Sequence, residues 1–85
     1  MKKLSYIVRD ELGMHARPAG MLVKEVSKFL SDVKISKGSQ EVDAKRIFGV
    51  MGLGVKKGDE ICICVEGQDE EEAVEAIEIF LKNNL

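Results

Sequence analysis

The chain has no tryptophan, a single proline, a single histidine and only 5% aromatic residues. Any core must therefore be packed from aliphatic side chains, which the 45% hydrophobic content supplies. Positive charge is not in excess either: 13 Lys and Arg face 15 Asp and Glu, for a formal net charge of −2. That excludes a dedicated nucleic-acid binder, which needs a strong basic excess to exchange for counterions. No apolar run approaches the ~20 residues that span a bilayer, so no membrane is expected as a partner. Met1-Lys2-Lys3-Leu4 offers two lysines but no apolar stretch or small-residue cleavage site behind them. The expected location is the cytoplasm.

Cysteine is scarce too. Cys62 and Cys64 stand at i and i+2 in a strand-like run, so both point to one face with Cα atoms about 6.6 Å apart. That separation is near the upper limit for a disulfide. Two thiols and one histidine are also too few for a structural zinc site. No metal and no organic cofactor is expected, and the two cysteines read as small residues on a sheet face.

What is present is enough for one compact domain over residues 1–85, of a size that buries roughly 60–65% of its unfolded surface. Glycines punctuate it at Gly13, Gly38, Gly58 and Gly67. Leu4 to Val8 reads as a strand, followed by a polar loop to Gly13. From Ala16 to Leu30 the period changes. Ala19, Leu22, Val23, Val26 and Leu30 follow one helix face, and Pro18 belongs in the first turn, where it has no intrahelical hydrogen bond to lose. Val33 to Lys37 and Gln40 to Val42 read as strands joined at Gly38-Ser39. Ile47 to Leu53 is a short segment, apolar nearly all round. Ile61, Ile63 and Val65 alternate with the cysteines in a fourth strand. Asp69 and Glu72 form a capping pair ahead of a last helix, whose buried stripe is Ala73, Val74, Ile77, Phe80 and Leu81 and whose wet side carries Glu71, Glu75 and Glu78. The order β-α-β-β-α-β-α predicts an α+β fold: a sheet covered by helices on one face, with Ser5, Lys34 and Ser36 on the other.

The segment Gly13-Met14-His15-Ala16-Arg17-Pro18-Ala19 sets the only imidazole at the mouth of a helix. A helix N-terminus presents unpaired N–H groups and a partial positive charge, which together bind phosphate. The same field disfavours imidazolium and favours a neutral, nucleophilic ring. Arg17 adds a fixed cation able to grip phosphoryl oxygens, and Gly13 relieves crowding on the approach side. These parts suit a phosphoryl acceptor. A hydrolase would need a nucleophile with a base and an orienting group, and none is assembled in the sequence. A plain interaction domain with a structural His15 is the reading from another class. It would show no phosphoryl chemistry.

The heptapeptide resembles the active-site signature of HPr, the histidine-containing phosphocarrier family of the bacterial phosphoenolpyruvate-dependent sugar phosphotransferase system. Chain length, element order and the block Lys45-Arg46-Ile47-Phe48-Gly49-Val50-Met51-Gly52-Leu53-Gly54 resemble the same family. The resemblance implies an open-faced β-sandwich with a four-stranded antiparallel sheet and three helices on one face. It implies a carrier rather than an enzyme: His15 is phosphorylated on Nδ1 by enzyme I and passes the group to IIA domains of sugar permeases. Ala16 and Arg17 bind the phosphoryl group, and Leu85 supplies a nearby terminal carboxylate. Gly20, Met21, Lys24, Lys45, Arg46, Ile47, Phe48 and Met51 form the partner surface, on which methionine suits several partners in turn. Brief docking favours a monomer. One position departs from the family. Many of its members carry a serine where this chain has Arg46, and in Gram-positive bacteria an ATP-dependent kinase phosphorylates that serine. Arginine accepts no phosphate ester and carries the opposite charge. A cap on the short helix is also lost there, unless Asp43 or water replaces it.

Overall fold

The computed structural model describes residues 1–85. Seven elements follow one another: β1 (Lys2–Ile7), α1 (Ala16–Val26), β2 (Asp32–Lys37), β3 (Gln40–Asp43), α2 (Ile47–Gly52), β4 (Glu60–Glu66) and α3 (Glu70–Asn84). The strands form one sheet in the order β1-β4-β2-β3, and every neighbouring pair is antiparallel.

Alternation along the strands decides which face the helices cover. Val33, Ile35, Ile61, Ile63 and Val65 point inward and are fully buried, with Leu4 and Tyr6 of β1 half-buried beside them. From the helices they meet Ala19, Leu22 and Val26 of α1, Val50 of α2, and Ala73, Ile77, Phe80 and Leu81 of α3. The opposite residues form an open face. In register across the strands lie Ser5, Cys62 and Ser36, and next to them Lys3, Cys64 and Lys34. Both cysteines are unpaired, and the Cys62 Sγ stands 3.5 Å from the Ser5 hydroxyl.

Two expectations at the ends of the helices need correction, and both trace to one side chain. The α1 stripe stops at Val26, and Leu30 lies outside the helix at 80% exposure. After Val26 the Ser27 hydroxyl bonds back to the Val23 carbonyl at 2.6 Å, and the chain turns. Asp69 then captures the emerging strand: its carboxylate accepts the N–H of Leu30, and both the N–H and the hydroxyl of buried Ser31. Asp69 is the N-cap residue of α3, but it makes no side-chain cap there, so its expected pairing with Glu72 is absent. Glu70 takes that place by accepting the Gly67 N–H at 3.1 Å. Gly67 is required because a Cβ there would lie 2.6 Å from the Ser31 Cα.

Candidate functional site

α1 begins where the sequence places it. His15 is the N-cap residue, in an extended conformation, and Pro18 is buried in the first turn. The first helical bond runs from the Ala19 N–H to the His15 carbonyl at 3.0 Å. Pro18 has no N–H, and no side chain caps this end, so the N–H groups of Ala16 and Arg17 point out of the helix without an acceptor. No acidic residue occupies the first turn. Two free donors at the positive end of an 11-residue helix make a site for an anion.

The loop before the helix is held from behind. Gly13 is buried at φ +65°, and a Cβ there would collide with the Val55 carbonyl and lie 2.7 Å from the Lys56 Cα. Its role is close packing of the loop on that segment, rather than open access to the imidazole as the sequence suggested. The Met14 N–H donates to the same Val55 carbonyl at 3.0 Å, and the Met14 side chain is buried in the core. His15 is thereby fixed at its main chain, while its half-buried ring makes no hydrogen bond within the chain.

His15 and Arg17 open into one hollow of about 250 Å³, completed by Asp10, Pro18, Met21, Asn83 and Asn84. Arg17 is exposed and engaged in no ion pair, so its guanidinium is free to meet an anion in the hollow. Asp10, Asn83 and Asn84 were not singled out from the sequence. The asparagines lie at the far end of the chain and arrive because the end of α3 is clasped to the β1–α1 loop. The Arg9 guanidinium donates to the Lys82 carbonyl at 3.3 Å, and the main-chain oxygen of Leu85 accepts from the N–H groups of Arg9 and Asp10 at 2.6 and 3.0 Å. The Leu85 side chain is buried, and Leu85 itself does not line the hollow.

Beside the hollow, α1 and α2 form an exposed apolar surface. Val50 and Leu53 go into the core and Ile47 is half-buried against it, whereas Phe48 stands 86% exposed, with Met21 and Met51 each at 40%. Gly20 and Lys24 are exposed on α1. The two basic residues before α2 differ. Arg46 is exposed, loosely paired with Asp43 at 3.8 Å. Lys45 is half-buried, and its ammonium donates to the Phe29 carbonyl at 2.9 Å, so it ties the segment before α2 to the turn after α1 instead of ringing the patch. No side chain caps α2: Asp43 closes the preceding turn by accepting the Lys45 N–H at 2.9 Å.

Residues 2–83 match the family model for the PTS HPr component phosphorylation site. The phosphocarrier protein HPr of Mycoplasma pneumoniae is 44% identical over 85 residues, covering 99% of this chain and 97% of that protein. A crystal structure of HPr from Thermoanaerobacter tengcongensis superposes with a TM-score of 0.93 at 38% identity, over 98% of this chain and 93% of that one. A dimer of HPr from the same organism matches at a TM-score of 0.78 and 38% identity, over 98% of this chain and 95% of that one.

Proposed function

The chain belongs to the HPr family of phosphocarriers, and from that premise we propose that His15 takes a phosphoryl group from enzyme I and hands it to IIA domains of sugar permeases. The observation that carries this reading is the meeting of the only imidazole, two unpaired amide N–H groups and the free Arg17 guanidinium at the head of α1.

Each transfer is a displacement at phosphorus. The Nδ1 lone pair of neutral His15 attacks the phosphorus of the donor's phosphohistidine, and the donor's P–N bond breaks as the new one forms. Catalysis of such a step is mostly positioning and charge stabilisation. The N–H groups of Ala16 and Arg17 and the Arg17 guanidinium hold the transferred oxygens throughout. In the second half, the acceptor's histidine attacks the phosphorus on His15 by the same route reversed. The chain supplies no catalytic turnover of its own, and the cycle calls on no metal or organic cofactor.

The partner surface is Gly20, Met21, Lys24, Ile47, Phe48 and Met51, with Arg46 at its edge and Lys45 supporting it from below. Its mix of apolar side chains and positive charge fits acidic partners bound briefly, at an interface small enough to part between transfers. A monomer acting in the cytoplasm meets those demands, and no helix here is long and apolar enough to cross a membrane. The main-chain oxygen of Leu85 does not line the hollow, and it acts there through the Arg9 and Asp10 N–H groups that it holds.

The deciding experiment is incubation with enzyme I and phosphoenolpyruvate, followed by intact mass measurement of wild type and His15→Ala. One acid-labile phosphate on wild type and none on the variant is expected. An uncharged wild type, under conditions that load an authentic HPr, would leave a docking module without phosphoryl chemistry.

A further inference from the structure

Asp10 is the unexpected member of the phosphoryl hollow. A site for an anion is lined by an anion. Three hydrogen bonds hold it there: its N–H donates to the Leu85 oxygen at 3.0 Å, its carbonyl accepts the Gly13 N–H at 3.0 Å, and its Oδ1 accepts the Leu12 N–H at 2.9 Å. It forms no ion pair with Arg17 or with any other cation. Arg17 is the only cationic side chain among Asp10, His15, Arg17, Pro18, Met21, Asn83 and Asn84, and the neighbouring Arg9 guanidinium is directed to the Tyr6 hydroxyl and the Lys82 carbonyl rather than to the Asp10 carboxylate. Asp10 therefore brings a carboxylate with no ion-pair partner into the hollow that holds His15.

We propose that Asp10 sets how readily His15 gives up its phosphoryl group, because its carboxylate shares the hollow and raises the free energy of the phosphorylated form. The inference rests on the carrier reading above. A phosphoryl group brings about −1.5 to −2 charges. Arg17 and the helix amides attract it and Asp10 repels it, so the group is held without being trapped. The effect has a thermodynamic signature. The overall equilibrium from donor to acceptor does not depend on the carrier, so whatever Asp10 subtracts from loading it adds to unloading. Removing the charge must make loading more favourable and onward transfer less favourable by the same factor. A merely structural role moves neither equilibrium in that way, since a disturbed loop lowers loading.

Asp10→Asn is the suitable variant, because the amide oxygen still accepts the Leu12 N–H while the charge is gone. Equal amounts of wild type and ¹⁵N-labelled Asp10→Asn compete for a limiting quantity of phosphoryl groups, with a catalytic trace of enzyme I as shuttle. Intact mass then reads the phosphorylated fraction of each. The expected partition favours the variant by about three- to tenfold, the scale of one unit charge acting on a phosphoryl group across a small solvated hollow. An even partition, or one favouring wild type, overturns the role of Asp10 while leaving the carrier intact. If enzyme I charges neither protein, the carrier reading fails on its own. Direct loading by phosphoramidate, in which the His15 N–P bond forms as ammonia leaves, then tests Asp10 separately. Higher loading of the variant supports the role, and equal loading removes it.

Discussion

Gly20 of α1 faces Ile47 of α2 across the junction of the two helices, and a Cβ built at Gly20 would lie 4.0 Å from the Ile47 Cδ1. Met21, next to Gly20, and Phe48, next to Ile47, are both exposed to solvent. Since 4.0 Å is ordinary contact and Gly20 has helical geometry, packing does not require the glycine. Gly20→Ala is therefore expected to stabilise the protein by about 0.5–1 kcal/mol, by removing the entropy cost of glycine within a helix. Urea unfolding checks it, and a destabilised variant would mean the junction is tighter than this geometry indicates.

Phe48 is 86% exposed, so its truncation removes little buried area. Phe48→Ala is expected to change folding stability by no more than about 0.5 kcal/mol. The same variant should slow phosphoryl transfer through weaker docking, seen as a raised KM toward the donor. Unchanged transfer kinetics would remove the patch from the partner surface.

Arg46 occupies the N-cap of α2 without a side-chain cap, and Asp43 is committed to the turn before it. Arg46→Ser supplies a hydroxyl for an orphan amide at that end. It gives up only an exposed pair with Asp43 at 3.8 Å, of a kind that contributes little. Its expected effect is a gain of about 0.5–2 kcal/mol in denaturant unfolding. A loss of stability would show that the Arg46 side chain has a structural role beyond that pair.

Arg17 has no partner inside the molecule, so removing it leaves no group orphaned. Arg17→Ala should fold as well as wild type and transfer the phosphoryl group about two orders of magnitude more slowly, the usual cost of losing one charge-stabilising donor. Arg17→Lys should recover part of that loss, because a point charge replaces a fork of donors. Rapid-quench transfer rates decide it.

Hydrogen bonds from the Ser31 hydroxyl, and then from the Leu30 and Ser31 amides, hold the Asp69 carboxyl below its ordinary value of 3.8. A depressed folded-state value means that the contribution is complete above the unfolded value and is lost as pH falls through the folded one. Asp69→Asn should accordingly lower Tm at pH 7, and the gap from wild type should shrink as pH drops below about 4. Thermal melts across that range test this; a gap that stays constant with pH would assign the effect to shape alone.

Much of the site was legible because its central parts are neighbours in the chain. Pro18 and the stripe of Ala19, Leu22 and Val26 fix where α1 starts, and that start alone puts His15, the Ala16 amide and Arg17 at one helix end. The open sheet face followed from strict alternation in β4, where Ile61, Ile63 and Val65 turn in and the cysteines turn out. Where sequence reasoning failed, a distant side chain had displaced a local rule. Asp69 reads as a cap for its own helix, yet spends its carboxylate on Leu30 and Ser31 nearly forty residues away. Lys45 reads as a surface charge, yet reaches the Phe29 carbonyl.

By itself the sequence determined the order of elements, the face each buries and the imidazole at the head of α1, because periodicity, proline placement and helix-end chemistry act over a few residues. Only the tertiary structure decided what else surrounds that imidazole. Clasping the end of α3 through Arg9 and Leu85 brings Asn83 and Asn84 into the hollow that His15 opens on and holds Asp10 in its wall. That arrangement depends on hydrogen bonds between segments more than seventy residues apart, and no local pattern carries their signal.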